Sequence, residues 1–451
     1  MWRTAALICL LAAGIPSARA EPVTMSLPEA HAMAEAALAS GRPRLAYELG
    51  EGLQQADRRN PHAHFYQALA LAQAEAWRAA EHKAARAYWH ARTPEQRFQA
   101  AQLAARLSYA DTRFTGSQFW LRRAVNHAPD DVTRDATIRS YRAVRHRNPL
   151  RFNLRASVTP SDNVNNGASS PLNVIDGVPV VGLLSPSAQA LEGVIATAHF
   201  IGSYRLAQGE GRETRTTWRL HSRRVHLSDS VGGLDGGDLS STTAEAGLRQ
   251  LLAQGPAITW RLDLGAGRTW YGGDPLYDFA RLGVQRHHRA SPRLAWALGV
   301  EIQGQRDEAG RNADTSVYSA FAGITRSIGE EGDLGLRLQL RDADSDGVNR
   351  SFTQWSAIAS YRPSRQPGLV DLDFSLGVSS LDYDRFRIGF IAVPGGRRDE
   401  SVFARITATL KSVNYMGFVP AISLTHEQSR SNISRFEVEE TALSVGIRSE
   451  F

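Results

Sequence analysis

Cysteine is almost missing from this chain: Cys9 is the single one in 451 residues. It falls inside a segment that reads as a secretory signal, with Arg3, an apolar run from Ala5 to Ile15, and an Ala18-Arg19-Ala20 cleavage pattern. The expected mature chain, from about Glu21, therefore has no disulfide, no thiol nucleophile and no thiolate metal site. Long apolar runs are scarce too. The run at 5–15 is too short to cross a bilayer, and no later stretch approaches the ~20 apolar residues a crossing helix needs. A chain of this kind that spans a membrane must do so as a closed barrel, because only helices and barrels pair all their backbone groups in lipid. No P-loop is found, so no nucleotide is expected.

Charge of one sign is concentrated rather than spread. Residues 21–150 carry 18 Lys or Arg against 13 Asp or Glu, a balance of +5, whereas residues 151–451 carry 32 against 33, a balance of −1. The basic excess is a mild bias towards acidic partners and solvated helix faces. No binding motif accompanies it, so nucleic acid is not an expected partner.

What the second part does have is alternation. In the last stretch Leu443, Val445, Ile447 and Phe451 fall on one face and Ala442, Ser444, Gly446, Arg448 and Glu450 on the other. Successive strand side chains point to opposite faces, so one face can meet lipid while the other meets water. Similar segments occur at about 151–160, 193–207, 212–228, 239–254, 257–271, 275–289, 292–306, 314–327, 333–342, 351–363, 368–383, 400–413, 417–428 and 436–451. That makes fourteen strands, an even number as single-chain bacterial barrels have. Connections after even-numbered strands are short; after odd-numbered ones they are long, 272–274 excepted. This asymmetry matches tight periplasmic turns and longer outer loops. A soluble sandwich would also alternate, but lacks that pattern of loops. Trp260, Trp270, Trp296, Trp355, Tyr277 and Tyr361 are expected in the aromatic girdles.

The first part, from Leu27 to Arg147, is rich in helix formers, with Pro28, Pro61 and Pro94 equally spaced and Pro129 close to period. Each interval holds two helical stretches, 62–74 with 76–91 and 95–108 with 113–127, and a helix at 131–146 follows. A period near 34 residues with small and aromatic residues at Ala72, Ala84, Tyr88, Ala91, Ala105 and Ala124 resembles the tetratricopeptide repeat. Such repeats present a concave surface to peptides or folded partners. His31, His62, His64 and His82 read as surface histidines, since none has a ligand-type partner at i+4.

Sites of chemistry are sparse. Asp342 to Gly347 begins like a calcium loop, but Thr353 stands where the bidentate Glu of an EF-hand belongs, so an acidic outer turn is expected. His287 and His288 are adjacent and must face opposite ways. No nucleophile–base constellation stands out, and neither an enzyme nor a cofactor is expected.

The exit from the first strand is distinctive: Pro160, Ser161, Asp162, Asn163, Val164, Asn165 and Asn166 form a polar, turn-rich run. It resembles the motif that opens the barrel of the surface lipoprotein assembly modifier (Slam) family, with Ser-Asp in place of Asp-Ser and Val164 in place of Ile. The resemblance implies a signal peptide at 1–20, a periplasmic tetratricopeptide-like helical domain at 21–150 and a fourteen-stranded antiparallel outer-membrane β-barrel at 151–451. It further implies an outer-membrane translocon of the type XI secretion route, which delivers surface lipoproteins or secreted haem- and metal-acquisition proteins. An exported passenger protein and outer-membrane lipids are then the partners. Leu443, Val445, Ile447 and Phe451 resemble the terminal signal read by the barrel-assembly machinery. The alternatives are an outer-membrane polysaccharide exporter, a barrel-embedded hydrolase and a passive porin. Closure should pair 436–451 with 151–160, which places the motif beside the seam and makes the seam a candidate gate.

Overall fold

The computed structural model describes residues 25–449, apart from 311, 312, 367, 369, 390, 412, 414 and 416. The expected signal segment, Glu450 and Phe451 lie outside the described residues. Two compact units are present, one ending at Arg113 and the other running from Phe114 to Phe451.

The first unit contains α1 (Leu27–Ala39), α2 (Pro43–Ala56), α3 (Pro61–Gln73), α4 (Trp77–His90) and α5 (Pro94–Ala110). Proline opens α2, α3 and α5, where its missing N–H costs nothing. Ser26, Asn60 and Thr93 cap α1, α3 and α5 by accepting from first-turn amides, a saving of about 1 kcal/mol each. The helices approach closely because alanines sit between them: Ala34, Ala46, Ala63, Ala68, Ala80 and Ala84 are fully buried. Gly50 belongs to the same interface, since a Cβ there would lie 2.7 Å from Gln67 Cγ and 3.0 Å from the Ala63 carbonyl oxygen. Among the positions of the expected repeat pattern, Ala84, Tyr88, Ala91, Ala105 and Ala124 are buried, and Ala72 is half-buried.

The second unit begins with α6 (Phe114–Asn126) and α7 (Asp131–Arg147), followed by a closed antiparallel barrel of fourteen strands. In chain order the strands are β1 (Leu150–Ser161), the hairpin β2 (Leu172–Ile175) and β3 (Val178–Leu183), then β4 (Gly193–Gly209), β5 (Arg212–Leu227), β6 (Ser241–Gln254), β7 (Ile258–Tyr271) and β8 (Asp274–Ser291). There follow β9 (Leu294–Asp307), β10 (Thr315–Ser327), β11 (Gly332–Ser345), β12 (Phe352–Pro363), β13 (Val370–Tyr383), the hairpin β14 (Phe386–Ile388) and β15 (Ile391–Val393), and finally β16 (Arg397–Leu410), β17 (Phe418–Ser431) and β18 (Val438–Ser449). The two hairpins stand outside the barrel sheet, whose ends meet where β1 pairs with β18.

The outer face of the barrel is apolar and uncovered. Leu334, Leu336, Leu338 and Leu340 on β11, Leu298, Val300 and Ile302 on β9, and Leu443, Val445 and Ile447 on β18 are each 43–59 % exposed. A continuous band of this kind needs an apolar solvent, and lipid is the one that fits a closed barrel. No helix among the described residues is long and apolar enough to cross a membrane. At the end where β8 turns into β9, Trp296 meets the guanidinium of Arg286 at 5.0 Å and the ring of His288 at 5.0 Å, all on the outward face. Tyr277 departs from expectation. It faces Thr269 in the register and packs on Phe279, which is 8 % exposed, so it points into the lumen rather than to a girdle.

At the same end, α6 and α7 are tied to the start of the barrel. Arg205 on β4 donates to the carbonyls of His146 and Arg147, Arg215 on β5 donates to that of Pro149 at 2.7 Å, and Asn148 bonds Thr115 and Gln118. These bonds satisfy the last carbonyls of α7 and fix where the first strand begins.

Candidate functional site

Residues 160–166 sit at the opposite end, where the long connections are. Pro160 and Ser161 are the last residues of β1, facing Val194 and Gly193 of β4. Ser161 points inward, and its hydroxyl donates to Glu440 Oε1 of β18 at 2.6 Å, a bond across the seam. Asp162 is exposed, whereas Asn163 is buried and closes a small ring: it donates to the Gly167 carbonyl at 2.9 Å and accepts from the Gly167 amide at 2.6 Å. Gly167 cannot carry a side chain, because a Cβ there would lie 2.2 Å from the Gln189 carbonyl oxygen. Asn165 ties the same loop together, donating to the carbonyls of Ser187 and Gln189 and accepting from the Leu191 amide. Asn166 takes a left-handed turn (φ 49°) that asparagine tolerates, and its carbonyl accepts from Arg435.

The ring of asparagines drives Val164 inward. Val164 is fully buried among Leu191, Val225 and Leu227, and its carbonyl accepts from Arg223. Arg223, Val225 and Leu227 are inward residues of β5, so the first loop is folded against the inner wall of the barrel. A second apolar cluster joins three connections that are far apart in sequence: Ile175 of β2, Phe386 of β14, Val393 of β15 and Ile433 of the loop before β18. Ser434 reinforces it, donating to the Leu172 carbonyl at 2.7 Å and accepting from the Val174 amide. Arg397 lies on the ring of Phe436, 3.3 Å from its centroid. This end of the barrel thus carries a cap with its own small core, which sequence reading missed. The signal was the Asp176-Gly177 pair between two short apolar runs, a strong hairpin cue. Both residues take positive φ (49° and 77°) in the turn between β2 and β3.

The lumen beneath the cap has two dissimilar walls. On β5 to β9 the charges are paired: Arg249 and Arg261 share Asp263 at 2.7 and 2.8 Å, and Arg281 bonds Glu245 at 2.8 Å and also Glu301. On the seam side a cavity of about 600 Å³ is lined by hydroxyls and by Arg155, His199, His221, Arg223, Arg405 and Arg448, with Glu440 at its capped edge.

The acidic stretch at 342–346 does not form a loop site. It continues β11 to Ser345, so Asp342 and Asp344 lie on the outward face; Asp342 accepts from the hydroxyl of Thr353 opposite. Among the described residues no cluster of His, Cys, Asp and Glu converges as a metal site would require. In the helical unit, His31, His62 and Tyr66 come together, with Tyr66 donating to Glu35 at 3.0 Å and His62 beside the Gln96 amide at 3.1 Å. The expectation that these histidines lie on the surface fails for His64, which is 1 % exposed and stacked on His90 because it points between α3 and α4 rather than outward. Burial, together with the charge of His90, holds the His64 pKa below its ordinary value, and burial and His31 do the same for His62.

No protein-family model matches the chain. No curated protein matches it either. Among solved structures it is similar to a BenF-like porin from Pseudomonas fluorescens Pf-5 (7 % identity, covering 66 % of this chain and 98 % of that one, TM-score 0.37). It is also similar to a bacterial polysaccharide outer membrane secretin (11 % identity, 66 % and 98 % covered, TM-score 0.35) and to a loop-deleted OmpT of Vibrio cholerae (8 %, 66 % and 98 %, 0.34). At these values the matches do not bear on function, and the barrel architecture stands on its own strand pairing.

Proposed function

We propose that this chain is an outer-membrane translocon that delivers one or a few partner proteins to the cell surface. The short turns and helices α6 and α7 would face the periplasm, and the capped end would face outward. The observation that carries the reading is the motif's position. Pro160 to Asn166 joins the closing seam, through Ser161 and Glu440, to the apolar cluster on the inner wall of β5, through Val164. A passive pore has no need of the helical domain, whereas an exporter needs an outer end that stays shut until its passenger arrives. The helical repeats, which resemble tetratricopeptide units, would receive that passenger in the periplasm.

The test is co-expression with the protein encoded by the neighbouring gene, scored by its exposure on intact cells or its release to the medium. Removing residues 27–147 should abolish delivery and leave a heat-modifiable barrel. Export that survives removal of residues 151–451 refutes the reading. Export of an acidic glycan in place of a protein would favour the polysaccharide alternative.

A further inference from the structure

We infer that the seam side of the lumen holds an oxyanion-binding row made by Arg448, Arg155, His199 and His221. Strand register creates it. Arg155 of β1 stands directly opposite Arg448 of β18, and on its other side opposite His199 of β4; His199 in turn stands opposite His221 of β5. All four line the same cavity, and the two imidazoles meet edge to face at 5.0 Å. Adjacent strands lie about 4.8 Å apart, so the row crosses roughly 14 Å of wall at one level.

Directly opposed like charges destabilise an antiparallel pair. On the β6 to β9 wall of this lumen the arginines are matched by carboxylates, whereas the row shares a single distant one. Arg448 reaches Asp373 Oδ2 at 3.7 Å, and that carboxylate already accepts from Arg362 at 2.5 Å. Glu440 lies on the same strand as Arg448 but roughly 26 Å away along it. Arg219, the next inward residue below His221, is taken up by Glu245 at 3.5 Å. Among the described residues Arg155 has no carboxylate partner. Hydroxyls of Ser157 and Thr197 flank it, already bonded to each other at 2.7 Å and available as further ligands.

Guanidinium groups with imidazoles and hydroxyls match an oxyanion of two or more charges, a phosphate or a pair of carboxylates. The bound anion would bridge β1 and β18, offsetting the repulsion at the shortest ladder of the barrel among the described residues. The site is independent of the export reading, since anion binding by the purified barrel needs no passenger.

The experiment titrates full-length protein in detergent with inorganic phosphate and, separately, with a hexaglutamate peptide, following binding by calorimetry. Phosphate is expected to bind, more weakly as salt rises, and to raise the temperature at which the barrel loses its folded gel mobility. Arg155→Gln and Arg448→Gln should each weaken binding about tenfold or more, the loss of one charge-assisted hydrogen bond. Arg249→Gln, on the paired wall, should leave it unchanged. Phosphate binding without hexaglutamate binding identifies a small oxyanion as the ligand; binding of both extends the site to acidic chain segments. No phosphate binding by the unaltered protein, or equal binding by folded Arg155→Gln and Arg448→Gln barrels, overturns the inference.

Discussion

Replacing Gly446 with alanine should open the barrel at its seam. The register between β1 and β18 runs from Arg155↔Arg448 to Val158↔Val445, four facing pairs among the described residues, whereas β6 and β7 pair from Ser241↔Tyr271 to Gln254↔Ile258. Gly446 lies inside the short ladder, and a Cβ there would sit 2.2 Å from the Ala156 carbonyl oxygen and 2.8 Å from Ser157 Cβ. Carbon and carbonyl oxygen on neighbouring strands ordinarily approach to about 3.3 Å, so β1 must withdraw by roughly 1 Å. Four pairs carry about four ladder hydrogen bonds, each worth ~1 kcal/mol net in water and several when left unpaired in lipid. Losing them costs on the order of 4 kcal/mol or more, comparable to the whole stability of many domains. Gly247→Ala supplies the control, because its Cβ would also lie 2.2 Å from a carbonyl oxygen, that of Leu264, but within the long β6–β7 ladder. Heat-modifiable gel mobility is the assay. Gly446→Ala should lose the folded form at a markedly lower temperature than Gly247→Ala. Equal behaviour of the two variants would refute the account of the seam.

Other consequences can be checked in the same strains. Glu440→Gln replaces the charge-assisted bond from Ser161 with a neutral one, so it should lower barrel stability by about 1 kcal/mol and speed proteolysis of the 162–192 loop on intact cells. Val164→Asp places a carboxylate in the apolar cluster that holds the first loop to the inner wall and should expose that loop to protease far more, while the barrel stays heat-modifiable. In the helical unit His62 and His64 have folded pKa values below their unfolded ones, so the unfolded chain binds more protons below about pH 6.5. Their contribution to stability is present above that pH and falls as pH drops below it. Thermal unfolding of the helical signal should therefore shift downward from pH 7.5 to 5.5, and less so in His64→Gln.

Much of the fold was legible because its two periodicities are clean. Expected helices at 62–74 and 95–108 became Pro61–Gln73 and Pro94–Ala110, since proline and the Asn60 and Thr93 caps mark their starts. Strand existence was equally plain, but strand ends were not: 333–342 extends to Ser345 because pairing continues past the lipid belt on polar residues such as Asp342 and Asp344. The cap was hidden because its core is built from Ile175, Phe386, Val393 and Ile433, four residues from three connections that no local pattern relates. The row of Arg448, Arg155, His199 and His221 was hidden for a similar reason. Alternation gives the face of a residue within one strand, while register, set by turns and bulges, decides which side chains meet across strands.

The claim that a passenger travels through this lumen is tested most directly by site-specific photo-cross-linking during export. A photo-reactive residue is placed at Thr197, on the lumen wall, or at Val445, on the lipid face, and the passenger is stalled by fusion to a tightly folded domain. The account predicts an adduct with the stalled passenger from position 197 and none from position 445. Export that proceeds with no adduct at lumen positions would contradict it.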